Sequence, residues 1–235
     1  MKHVNLDILN AMAVQKINYQ KQLDSILAKI EAQKAESNFQ KPTLLLHACC
    51  GPCSSYVIEY LAKLFDITIY YYNPNIHPQE EYARRLEELK KFLSRFPDAL
   101  QNNVKLIEDE YNTEEYFTAT NVRTEQALQT EREKGERCRR CYQFRMKRAY
   151  DYACKNNFDY FTTTLTISPH KDSEKINTIG FELEQNRTID DKTKFLPSDF
   201  KKKGGFLRST QLSEEYGLWR QDYCGCVFSM KSPAI

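Results

Sequence analysis

Apolar residues recur along the chain at two spacings, and the spacings divide it into elements. Leu23, Ile26, Leu27 and Ile30 fall on one helical face among lysines and glutamines, which predicts a long helix over 4–36, stopped by Pro42. Thr43–His47 (TLLLH) is a short unbroken apolar run of the kind that forms a buried parallel strand. Gly51-Pro52 breaks the chain, and Val57, Ile58, Leu61 and Leu64 predict a helix over 54–65. Ile67–Tyr72 (ITIYYY) is β-branched and aromatic and predicts a second strand. A helix follows from near Pro78 to Phe96, with Tyr82, Leu86, Leu89, Leu93 and Phe96 inward and Glu80–Arg84 and Glu87–Lys91 as supporting pairs. Val104–Ile107 predicts a third strand, 112–136 a polar helical stretch, Cys141–Lys155 a clearer helix and Phe158–Leu165 a fourth strand. A last helix is expected near 173–185, and 187–208 is expected to be flexible. Strand alternating with helix implies an α/β domain over 42–235, a parallel sheet flanked by helices, preceded by a helical extension over 1–41.

Composition narrows the setting. The 235 residues are 41% hydrophobic, enough for a real core and too much for a disordered chain. No apolar run reaches the roughly 18 residues of a membrane span. Asp7, Asn10 and Gln15 interrupt the N-terminal stretch where a signal peptide needs an apolar run. A cytoplasmic protein without a membrane partner is expected. Thiols stay reduced in that compartment, so eight cysteines point to metal binding or redox chemistry rather than a disulfide scaffold.

Seven of the eight cysteines stand in three groups: Cys49-Cys50-Gly-Pro-Cys53, Cys138-Arg-Arg-Cys141 and Cys224-Gly-Cys226. The first lies between a predicted strand and a helix N-terminus, the crevice where ligands bind in open α/β sheets and where anions are favoured. The second opens a helix with two thiols at metal-gripping spacing. Together the two groups supply the four thiolates of a zinc site or a [4Fe–4S] cluster, and spacing does not choose between them. The third group suits a strained, labile disulfide, further metal ligands or inert thiols. Cys154, alone, is expected to be a small core residue.

These residues resemble a known family, the QueH-type epoxyqueuosine reductases, which are iron–sulfur enzymes of tRNA queuosine synthesis. The resemblance rests on LLLHACCGPCS (44–54), YYNPNIHPQEEYARR (71–85), GERCRRCYQFRM (135–146), TTTLTISPHK (162–171) and LWRQDYCGC (218–226). It implies a Rossmann-like fold similar to the adenine-nucleotide α-hydrolase group. It places a [4Fe–4S] cluster on Cys49, Cys50, Cys138 and Cys141, and a redox-active disulfide at Cys224 and Cys226. It implies a neighbouring mononuclear metal, such as iron, for which Cys53 is the candidate ligand; some members of the resembled family carry Asp at that position. The implied reaction is two-electron removal of the epoxide oxygen from epoxyqueuosine at the tRNA wobble position, with an unknown electron donor. The partners are tRNAs with queuosine-type anticodons. Tyr71, Tyr72, His77 and His170 are proton-donor candidates with no assigned role.

Charge agrees only in its distribution. The formal net charge is +2, but 131–148 carries eight Arg and Lys and 192–208 carries six, stretches suited to a phosphate backbone. Rival readings are another iron–sulfur or thiol-dependent tRNA-modifying enzyme, an ATP pyrophosphatase, a heterodisulfide-reductase-like protein, or a zinc-stabilised RNA-binding domain. The single glycine of CCGPCS argues against an ATP loop, and the cysteine-free stretch 54–137 argues against a heterodisulfide-reductase module.

Overall fold

The computed structural model describes residues 17–230. Helix α1 (Tyr19–Gln33) is capped by the Asn18 side chain, which accepts from Lys21 N–H. The part of the expected 4–36 helix before residue 17 lies outside the described residues. Strand β1 (Thr43–His47) leads into α2 (Gly51–Leu61), then β2 (Asp66–Tyr71), α3 (Gln79–Leu93), α4 (Pro97–Gln101) and β3 (Lys105–Glu108). Two short helices, α5 (Thr113–Thr120) and α6 (Gln126–Thr130), precede the long α7 (Glu136–Lys155). Strand β4 (Tyr160–Thr163), a 3₁₀ turn, α8 (Ser173–Gln185), β5 (Lys194–Phe195) and α9 (Gly205–Glu215) complete the order.

The five strands form one parallel sheet in the order β3-β2-β1-β4-β5, the doubly wound α/β arrangement that the strand–helix alternation implied. Alternation along β1 decides what packs where. Leu44 and Leu46 face a core shared with Leu23, Leu27 and Ile30 of α1, Leu89 and Phe92 of α3, and Leu212 of α9. Leu45 faces the other core, with Tyr142, Met146 and Tyr150 of α7 and Ile176 and Ile179 of α8. Successive strands are added to one side of β1 and then to the other, so the carboxyl ends of β1 and β4 open a crevice between them. No described helix is long and apolar enough to cross a membrane.

Several expectations change. Gly51 and Pro52 begin α2 rather than break the chain before it, because Cys50 caps that helix and proline suits its first turn. Pro78 is the residue before α3, not its first helical residue, and Phe96 lies beyond that helix. On α3 the ion pairs are Glu81–Arg85, Glu87–Lys90 and Glu88–Lys91; Arg84 instead lies over the Trp219 ring. Residues 112–136 do not form one polar helix: Asn121 ends α5 in the left-handed region, and Tyr116, Phe117, Val122 and Leu128 are buried. The segment 187–208, expected to be flexible, contains β5 and the start of α9. Leu196 and Phe200 are core residues, and Asn177 fixes the segment through both backbone groups of Ser198.

Candidate metal and redox site

The loops after β1, β2 and β4 meet the first turns of α7 and a strap over 218–229. Between them lies a cavity of about 560 Å³. Its wall includes Cys53, Cys138, Cys141, Cys224 and Cys226, so five cysteines from three distant stretches face one space. Cys49 and Cys50 lie deeper, 4% and 1% exposed. The Sγ atoms of Cys49, Cys50 and Cys53 all lie within 4.8 Å of one another. Among the described residues this is the group at metal-ligand spacing, and it contains Cys53 as well as the two cysteines assigned to a cluster. Cys154 is half-buried against the α7–α8 core and does not line the cavity.

Local sequence explains the first group. β1 delivers the chain at the sheet's carboxyl edge, and α2 starts immediately. Cys50 is its N-cap, with Sγ accepting from Cys53 N–H at 3.4 Å. An N-terminal helix dipole favours thiolate over thiol. Hydrogen bonds from Cys50 and Cys53 hold Cys49 well below the ordinary thiol range, helped by Lys171 and Arg145. Burial pushes the Cys50 thiol up to about 12.

The second group stands on α7. The Glu131 carboxylate caps that helix by accepting from Glu136 N–H and Arg137 N–H, each at 2.7 Å. Cys138, Cys141 and Arg145 follow at three and four residues, so they share one face. Arg145 is 3% exposed and donates to Asn73 Oδ1 at 3.2 Å. Arg137, also 3% exposed, donates to the carbonyls of Leu128 and Gln129. Lys171 completes the cationic wall. Burial lowers its pKa, but the charges of Cys49, Cys53 and Cys224 outweigh that and raise it. Among the described residues, no carboxylate pairs with Arg137, Arg145 or Lys171; the recorded ion pairs all involve other cations.

The strap holds the third group. Arg85 of α3 donates to the carbonyls of Tyr223 and Cys224, both at 3.2 Å, and His77 N–H donates to Gly225 O at 2.8 Å. Gly225 has φ +103°, and a Cβ there would stand 2.8 Å from Ile76, so only glycine fits between the two cysteines. Both thiols are free. Cys224 Sγ lies 2.9 Å from Ser229 Oγ and accepts from Cys226 N–H. The Cys226 hydrogen bond holds the Cys224 thiol low, with Lys171 and Ser229 assisting.

The four proton-donor candidates separate. His170 lines the cavity. Tyr71, Tyr72 and His77 do not: Tyr71 donates to Tyr82 O, Tyr72 to Glu115, and the His77 ring bonds its own loop at Asn75 O. Reasoning from sequence overlooked Arg85, Asn75 and Gln221. Among the described residues Asn75 Oδ1 and Gln221 Oε1 are buried without a partner, and both residues line the cavity. All three stand inside the quoted motifs; helical spacing from the cysteines would have marked Arg145 as well.

The family profile "Epoxyqueuosine reductase QueH" matches residues 44–232. A protein of Streptococcus pyogenes named epoxyqueuosine reductase QueH is 42% identical over 94% of this chain and 81% of its own length. The protein of that name from Staphylococcus epidermidis is 38% identical over 97% of this chain and 91% of its own. The one from Thermotoga maritima is 35% identical over 80% and 90%.

Proposed function

The chain belongs to the QueH family of epoxyqueuosine reductases, and from that premise we propose that it reduces epoxyqueuosine to queuosine at the wobble position of tRNA. In this reading a [4Fe–4S] cluster is held by Cys49, Cys50, Cys138 and Cys141. The observation that carries it is the convergence of three cysteine groups at one cavity, with Cys49 and Cys50 behind Cys53, walled by cations that have no carboxylate partner among the described residues.

That donor set fits the group. Sulfur ligands without a histidine or carboxylate in the trio suit iron–sulfur clusters or zinc. A cluster with four thiolates is anionic, and Arg137, Arg145 and Lys171 supply the compensating charge. When bound, such a cluster passes electrons singly, at a potential set by charge, burial and hydrogen bonds to its sulfurs. Cys53 is the remaining thiol of the trio and the candidate ligand for an adjacent mononuclear iron.

Epoxide deoxygenation balances as two electrons and two protons in, one alkene and one water out. Oxidation of Cys224 and Cys226 to a disulfide releases two electrons and two protons, so the pair matches that demand. An external donor must then reduce the disulfide. Ser168, His170 and Lys171 are the polar side chains on the wall after β4 and the candidate proton donors. A tRNA substrate sets the reaction in the cytoplasm.

The test is turnover. Protein reconstituted anaerobically with iron and sulfide is given epoxyqueuosine-containing tRNA and a chemical reductant, and the digested nucleosides are weighed. Queuosine, lighter by one oxygen, is the expected product. Cluster-loaded protein that leaves epoxyqueuosine unchanged would contradict the assignment. Colourless protein that retains zinc and binds RNA without turnover would support the zinc-stabilised RNA-binding reading instead.

A further inference from the structure

We propose that Gln221 tunes the reduction potential of the metal group by donating an amide hydrogen bond to the sulfur of its ligand Cys50. This rests on the reading above, in which Cys50 is a cluster ligand, and assigns a role to a residue outside the cysteine set. Gln221 Nε2 lies 3.2 Å from Cys50 Sγ. Cys50 is 1% exposed, so no bulk water competes for that sulfur. Its other contacts are Cys53 N–H at 3.4 Å and the Cys49 thiol at 3.8 Å; a ligating Cys49 has no proton to give, so among the described residues the glutamine is then the side-chain donor to that sulfur.

The amide is oriented by the sulfur itself. Among the described residues Gln221 Oε1 is buried with no partner, so no second hydrogen bond there selects its rotamer. The reversed amide would set a carbonyl oxygen against a negative sulfur. The nitrogen-first orientation is the one a ligating thiolate favours. The backbone on either side is fixed. Trp219 N–H donates to Glu88 at 3.2 Å, and Arg220 donates to Ser209 O and Ser213 Oγ. Arg85 holds the carbonyls of Tyr223 and Cys224. The donor is therefore in place before any electron arrives.

An N–H donor draws electron density from a ligand sulfur and stabilises the more negative, reduced state, which raises the potential. In a buried site the effect is stronger than in water. Gln221 also stands three residues before Cys224 on the same strap. The segment that carries the dithiol thus also adjusts the metal group with which it would exchange electrons.

The test uses the full chain reconstituted anaerobically, with iron content measured and the potential read by a dye-mediated redox titration of the visible band. Gln221→Leu removes the donor at similar volume, and Gln221→Glu places a negative acceptor there. Both variants are expected to bind as much iron as the wild type and to titrate at lower potential, with the larger drop for Gln221→Glu. Equal iron and an unchanged potential in both would overturn the proposal while leaving the cluster assignment standing. Loss of iron from Gln221→Leu would also overturn it, since a tuning residue is not a ligand. Wild-type protein that assembles no iron–sulfur chromophore would contradict the cluster reading, and the proposal with it.

Discussion

Arg85 is 1% exposed on the inner side of α3, and its guanidinium divides between Glu81, at 2.6 Å, and two carbonyls of the strap. It does not line the cavity, yet it fixes the backbone that presents Cys224 to it. Arg85→Ala leaves Glu81 half-buried without its partner and two strap carbonyls without donors. Loss of a buried pair of this kind costs about 3–5 kcal/mol. We expect a denaturation midpoint lowered accordingly, and faster alkylation of Cys224 and Cys226 than of Cys49 and Cys50. Trp219, the one tryptophan of the chain, lies on the same strap under Arg84, so its fluorescence reports the release. Asp109 offers a pH test. Burial would raise its carboxyl, but hydrogen bonds from Arg148 and Tyr70 hold it below the ordinary 3.8. A depressed carboxyl adds stability above its unfolded pKa and loses it as pH falls through the folded value. Asp109→Asn is therefore expected to be less stable than wild type at neutral pH, with the gap closing in acid. A constant gap would contradict this.

Elements with strong local periodicity were legible from sequence. β1, β2, α8 and the body of α7 stand within a few residues of their expected places because each has a continuous apolar run or stripe. Segment 187–208 was not legible, because its order comes from distant partners. Lys201 and Lys203 give it a solvated look, but Lys201 pairs with Asp199, and Lys203 with Asp24 of α1. Phe200 and Leu196 enter a core built by α2, α3 and β1. The polar stretch 112–136 misleads in the same way, since Tyr116, Phe117, Val122 and Leu128 form a small buried cluster with Cys141 of α7. Phe200→Ala decides between a loop and a core segment. A core phenylalanine costs about 3–5 kcal/mol on truncation, whereas a flexible loop residue costs almost nothing. Urea unfolding monitored at Trp219 should show the larger value.

At the scale of the molecule, sheet order brings together what sequence keeps apart. Cys49 and Cys141 are far apart in the chain, but β1 lies at the centre of the sheet and α7 leads into its neighbour β4. The cysteine groups were legible as chemistry; their common cavity was not, because only the sheet's topology creates it. The basic stretch 131–148 also changes meaning. Arg137 and Arg145 are buried at the cavity, and Arg139, Arg140 and Arg148 pair with Glu136, Glu125 and Asp109. Much of that charge serves the site and the packing of α7, rather than an exposed phosphate track. In the proposed function the turn between β1 and α2 and the first turns of α7 hold one cluster jointly. The most direct test of this is the iron content of anaerobically reconstituted Cys49→Ala, Cys138→Ala and Cys154→Ala beside the wild type. Wild type and Cys154→Ala are expected to hold the four irons of a cluster and the adjacent mononuclear iron, with loss of the cluster irons and of colour in the other two. A fully loaded cluster in Cys49→Ala or Cys138→Ala would contradict the joint assignment.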